Sequence, residues 1–201
     1  MLGLKEGLLE NAMNKVGGEG EEGKRSMPHD VVSADGLGRV PVEKSFGIRI
    51  ARDGTWFHDG EPIRRIELAK LFATVLRRDD AGEYWLVTPV ERGRIVVEDV
   101  PFVAVEMTAS GSGRDQVLSF RTNLDEWVEA GPEHPIRVAH DPETGEPSPY
   151  IDIRNGLEAR IARSVFYDMV ERAVTDQQTG EAEVGLWSKG TCFVLGRLPG
   201  E

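Results

Sequence analysis

The chain carries one structural pattern twice, and no other feature constrains its fold as much. Residues 48–53 read IRIARD and residues 136–141 read IRVAHD; the triplet GEP at 60–62 returns at 145–147; the apolar pattern of 71–76 (LFATVL) returns at 165–170 (VFYDMV). After each helical pattern comes a turn and a strand, at 81–87 and again at 179–187. Four matches in one order, with offsets that loops absorb, define two copies of a strand, turn, strand, helix, strand unit. The expected fold is therefore α+β, two related small domains with mainly antiparallel sheet. The first spans residues 30–99 and the second 100–201, with the junction near 99–101.

Each unit follows from local chemistry. Ile48 and Ile50 alternate with Arg49, Ala51 and Asp53, the period of a half-buried strand, and Asp53-Gly54 supplies the left-handed backbone that turns a hairpin. On the returning strand Trp56 and His58 share a face and Phe57 takes the other. Asp141, followed by Pro142, holds the turn position of Asp53, so both aspartates read as turn initiators. His58 has no counterpart in the second copy and reads as a hairpin side chain; the competing readings are a base with Asp53 or Asp59 as its orienting carboxylate, or two thirds of a metal site. Leu68, Leu71, Phe72, Val75 and Leu76 then form one helical stripe that must lie on the sheet. Between the units, 102–108 and 116–122 read as a further strand pair joined by the loop at 109–113.

Residues 1–29 stand apart. Leu4, Leu8, Leu9, Ala12, Met13 and Val16 fall at helical spacing, followed by the Gly/Glu-rich linker GGEGEEGKRS at 17–26. The net charge of −11 opposes binding to double-stranded nucleic acid or an anionic membrane, which require a basic face, but permits a small anion held by a few local groups. With no apolar run of spanning length and no secretory leader, a cytoplasmic location is expected. The single Cys192 sits in the apolar run 191–195 and is expected as a buried strand residue.

The series IARDGTW at 50–56, GEPI at 60–63, LVTPVE at 86–91 and FRTN at 120–123 resembles an uncharacterised bacterial family known only as a domain of unknown function. The resemblance runs from about residue 45 to the C-terminus. It implies a duplicated α+β core whose second half is superficially like the pleckstrin-homology fold, a site for a nucleotide-like ligand between the halves, and a role in signalling. The acidic N-terminal linker departs from the family pattern. The strand at 184–195 strains the pleckstrin-homology comparison, because that fold ends on its helix.

No phosphate loop is present, since 111–113 is too short and no Lys-Ser/Thr follows. His134 and His140 stand six residues apart, too far along a strand for metal ligation, and no nucleophile elbow occurs. No cofactor is expected. What remains are polar residues near strand ends: Thr88 and Glu91 around Pro89, then Arg121, Thr122 and Asn123, then Tyr150 and Arg154. Converging on a crevice between the units, the arginines would take a phosphate while Tyr150 or Trp56 stacks on a base. Alternatively Arg121 pairs with Glu91, and Thr122 and Asn123 cap the segment starting at Leu124. The leading expectation is a non-catalytic regulatory module for a small anionic ligand; the second is a protein-interaction adaptor using Trp56, Trp127 and the N-terminal helix; a hydrolase built on His58 comes third.

Overall fold

The computed structural model of the chain describes residues 42–176 and 182–198. The helix and linker expected at 1–29 lie outside them. The N-terminal half builds a seven-stranded sheet in the order β4-β3-β2-β7-β6-β5, with β1 added alongside β7. Its strands are β1 (Val42–Glu43), β2 (Ile48–Ile50), β3 (Trp56–His58), β4 (Glu61–Pro62), β5 (Leu76–Arg78), β6 (Tyr84–Val87) and β7 (Glu91–Val97), with helix α1 (Ile66–Val75) between β4 and β5.

The second half holds a six-stranded sheet in the order β10-β9-β8-β13-β12-β11 and a three-stranded sheet, β14-β15-β16. Here β8 is Phe102–Ser110, β9 Val117–Thr122, β10 Trp127–Glu129, β11 Ile136–His140, β12 Pro147–Arg154 and β13 Leu157–Ile161; α2 (Arg163–Arg172) precedes β14 (Val174–Asp176), β15 (Ala182–Ser188) and β16 (Thr191–Leu198). The protein is α+β with mixed sheets: antiparallel hairpins are joined by parallel pairs β1·β7, β2·β7 and β8·β13.

The opening stretch folds as a hairpin. Ile48 faces His58 and Ile50 faces Trp56 across an antiparallel pair. Asp53 Oδ1 accepts from Thr55 N at 2.9 Å, and Gly54 takes φ +82°, a conformation only glycine adopts without strain. In α1 the buried face is Ala69, Phe72 and Ala73, continued by fully buried Leu76. Leu68, Leu71 and Val75 are half-buried flanks, so the stripe is centred one position round from the expected one, and Leu76 opens β5 instead of ending the helix.

The core of the second half gathers Phe102, Leu118, Phe120, Ile151, Leu157, Met169 and Leu186. Cys192 is exposed, which corrects the expectation of a buried thiol. The run is a half-buried strand: Phe193 and Leu195 take the inward positions of β16, leaving Cys192 and Val194 on the outer face. Ser188 ties β15 to the larger sheet; its buried hydroxyl donates to Ala130 O at 2.7 Å and accepts from Leu118 N at 3.0 Å.

Candidate functional site

The two halves meet along a seam crossed by several hydrogen bonds, and two clefts open on it. The first, about 450 Å³, lies between α1 and the β9–β10 turn and is lined by Lys70, Ala73, Thr74, Leu124, Asp125, Glu126 and Arg154. Arg121 stands beside it. Four expected site residues come together around this turn, yet each is committed to a protein partner. Arg121 donates to Glu106 Oε2 at 2.7 Å and to Asp125 Oδ1 at 2.9 Å. Arg154 pairs with Glu126 and donates to Ala73 O at 2.9 Å. Buried Thr122 accepts from Leu124 N and Glu126 N through its hydroxyl oxygen. Asn123 accepts from Val103 N at 3.0 Å and donates to Gly54 O at 3.1 Å.

The suggested Arg121–Glu91 pair does not form: Glu91 pairs with Lys44 instead. Residues 123–126 make a tight turn, with Asp125 at φ +61°; Thr122 accepts the Leu124 and Glu126 amides of this segment, while Asn123 reaches Val103 and Gly54 instead of capping it. Lys70, donating to Asp125 Oδ2 at 2.8 Å, and then Arg121 hold the Asp125 carboxyl below its ordinary value. An anion entering this cleft must displace a carboxylate from every cation it meets.

The other expected residues lie elsewhere. Trp56 is 2% exposed and stacks on Phe72, centroids 6.3 Å apart, so it offers no surface for a base or a partner. Thr88 closes the β6–β7 turn, its hydroxyl accepting from Glu91 N at 3.0 Å. Tyr150 donates to Asp99 Oδ1 at 3.1 Å beneath the Arg137 guanidinium, and burial pushes its phenol upward. His58 lies within 3.5 Å of the Asp59 carboxylate and lines neither cleft.

The second cleft, about 560 Å³, has a different electrostatic character. The β2–β3 turn supplies Arg52, β13 supplies Arg160, and the first turns of α2 supply Arg163, Phe166 and Tyr167; the β11–β12 turn and the start of β12 contribute Asp141, Glu146 and Ser148. Arg160 reaches across the seam and donates to the Arg52 carbonyl at 3.0 Å. Its Nε is buried without a hydrogen-bond acceptor, the Asp99 carboxylate standing 3.7 Å off. The Arg52 guanidinium makes no hydrogen bond or ion pair with any described residue; its charge acts on Asp141 at longer range. Asp141 is fixed by its own turn, Oδ1 accepting from Glu143 N at 2.9 Å and Thr144 N at 2.8 Å. These amides, Thr144 first, hold its carboxyl below the ordinary value. Arg163 pairs with Glu146.

Three guanidiniums and two carboxylates line the cleft, and the Asp99 carboxylate stands against Arg160, which leaves Arg52 as the lining arginine without a described ion-pair partner. None of its residues was singled out as a ligand contact from the sequence. The signals were present: Arg52 lies inside the repeated turn, and the buried alternation Leu157, Ala159, Ile161 places Arg160 on the outer face of β13.

An α+β protein with mixed sheets in two consecutive halves is the class that fold and seam define. Residues 40–100 match the profile of the N-terminal domain of DUF1285, a domain of unknown function, and residues 101–195 match that of the C-terminal domain of the DUF1285 protein of unknown function. The chain belongs to this family. It is similar to a DUF1285 family protein from Silicibacter pomeroyi DSS-3 of known crystal structure, with 44% identity over 79% of this chain and 85% of that one and a TM-score of 0.72. A DUF1285 family protein from Shewanella baltica OS155 is 26% identical over 63% of this chain and 91% of that one, with a TM-score of 0.50. No curated protein matches the chain.

Proposed function

We infer that this protein is a non-catalytic binding module that takes a small anion in the seam cleft lined by Arg52, Arg160 and Arg163, and that its role is regulatory. One observation carries the reading: the Arg52 guanidinium at the seam has no hydrogen-bond or ion-pair partner among the described residues, whereas the Arg121 and Arg154 guanidiniums are each paired with carboxylates. Binding is favoured over turnover because no histidine or cysteine lines this cleft and the Asp141 carboxylate is occupied by backbone amides. An occupant bridging Arg52 and Arg160 would report its presence as a change in how firmly the halves are held together.

The duplication belongs to the same reading. The order strand, strand, strand, helix, strand, strand, strand occurs at β2–β7 around α1 and again at β11–β16 around α2. The cleft takes Arg52 from the hairpin turn of one copy and Asp141 and Glu146 from the matching turn of the other. The adaptor reading retains Trp127, 48% exposed on the short strand β10, but loses Trp56 to the core.

Titration with inorganic phosphate and pyrophosphate, followed by calorimetry and thermal shift, tests the proposal. Each charge-assisted hydrogen bond contributes about 1.5–3 kcal/mol, so Arg52→Gln should weaken pyrophosphate binding by roughly ten- to a hundredfold with little change in the melting temperature of the free protein. No binding at millimolar concentration, or equal binding by Arg52→Gln, would transfer the case to the adaptor.

A further inference from the structure

The third arginine of the cleft differs from the other two. Arg163 is already paired with a carboxylate, that of Glu146, and the two side chains are 69% and 55% exposed. Glu146 precedes β12 at the end of the β11–β12 turn, and its carboxylate has no described partner besides Arg163. The other carboxylate of the lining is differently held: Asp141 Oδ1 receives two backbone amides and cannot leave without undoing the turn. Exposed ion pairs are weak, so Glu146 is the one anionic group of the cleft that an incoming ligand can displace cheaply.

We propose that Glu146 is the specificity-determining residue of this cleft, an internal stand-in for the ligand anion on Arg163, and that it selects phosphomonoester dianions over carboxylate monoanions. The inference rests on the anion-binding reading above. A monoanion entering the cleft gains Arg52 and Arg160 but attracts Arg163 no more strongly than Glu146 does. A dianion at the same distance attracts that guanidinium about twice as strongly, so it displaces Glu146 and recruits all three arginines. Tyr167 lies four residues after Arg163, on the same helix face, and with Phe166 gives the cleft an aromatic wall beside the cation. The ligand class that fits is a phosphomonoester bearing a flat or apolar group.

Phenyl phosphate and benzoate share a ring and differ in head group, which makes them the probes. At pH 7.5 a phosphomonoester, with a second pKa of about 6, is largely dianionic. Calorimetric titration of the full chain should give wild-type protein at least tenfold tighter binding of phenyl phosphate than of benzoate. Glu146→Gln, which keeps the side-chain shape and frees Arg163, should tighten benzoate several-fold more than phenyl phosphate and so shrink the ratio; Glu146→Ala should do the same. At pH 5, where phenyl phosphate is a monoanion, the wild-type preference should collapse. Both probes binding with a ratio that neither Glu146 variant alters would overturn the role of Glu146 while leaving the anion site standing. Neither probe binding to wild type or to Glu146→Gln at millimolar concentration would overturn the anion site itself and the inference with it.

Discussion

Asn123 Nδ2 donates to the Gly54 carbonyl at 3.1 Å, so the β9–β10 turn of one half is fastened to the β2–β3 turn of the other. The fit is close. A Cβ placed on Gly54 would stand 2.6 Å from Asn123 Nδ2 and 3.0 Å from Val103 Cγ2, and Gly54 is at φ +82°. Asn123 is itself held in the sheet, accepting from Val103 N at 3.0 Å.

Gly54→Ala should therefore cost about 2–4 kcal/mol in urea denaturation, the sum of a left-handed alanine and an overpacked contact. Gly60 is the control, because it sits at φ +88° with nothing within 4 Å of its Cβ position. Gly60→Ala should cost only about 1–2 kcal/mol, the backbone contribution alone. Removing the seam contact with Asn123→Ala should bring the cost of Gly54→Ala down toward that of Gly60→Ala. Equal costs for the two glycine variants in the wild-type background would refute the seam contact.

The Lys70–Asp125–Arg121 chain predicts an acid dependence with a definite sign. Hydrogen bonds from Lys70 and then Arg121 lower the Asp125 pKa from its ordinary 3.8. A carboxyl whose folded pKa is depressed stabilises the fold above its unfolded value and loses that contribution as pH falls through the folded value. Melting temperature should thus decline below about pH 4, and Asp125→Asn should flatten that part of the profile; asparagine tolerates the φ of +61° at this position. An unaltered acid limb in Asp125→Asn, read by calorimetry from pH 2 to 7, would show that the chain contributes nothing.

What the sequence made legible was local. The Asp53-Gly54 hairpin, the two helices and the β8–β9 pair each declare themselves within a dozen residues through turn chemistry and periodicity. The parallel pairs β2·β7 and β8·β13 join strands separated by a helix and several hairpins, and no local pattern encodes them. Partner choice failed for the same reason. Glu106 stands opposite Arg121 in the β8–β9 register, whereas Glu91 belongs to β7 in the other half and meets Lys44. Cys192 shows a third limit, since an apolar run does not reveal which alternate positions of a strand face inward. The Arg52 cleft escaped because its residues come from two turns, two strands and the start of α2, each unremarkable alone.

The two clefts make opposite forecasts for their arginines, and that contrast tests the assignment of the site. Arg154 fastens α1 to β12 by donating to Ala73 O, and pairs with Glu126. Its removal leaves the half-buried Glu126 carboxylate without its cation and takes one of two donors from the Ala73 carbonyl, which keeps the Leu76 amide, so Arg154→Ala should cost about 1–3 kcal/mol of stability and leave pyrophosphate affinity unchanged. Arg52 has no described partner for its side chain to lose, so Arg52→Ala should leave the urea midpoint nearly where it was and weaken pyrophosphate binding at least tenfold. Measuring both quantities on both variants separates structure from binding. A ligand affinity that falls in Arg154→Ala and holds in Arg52→Ala would move the site to the cleft between α1 and the β9–β10 turn.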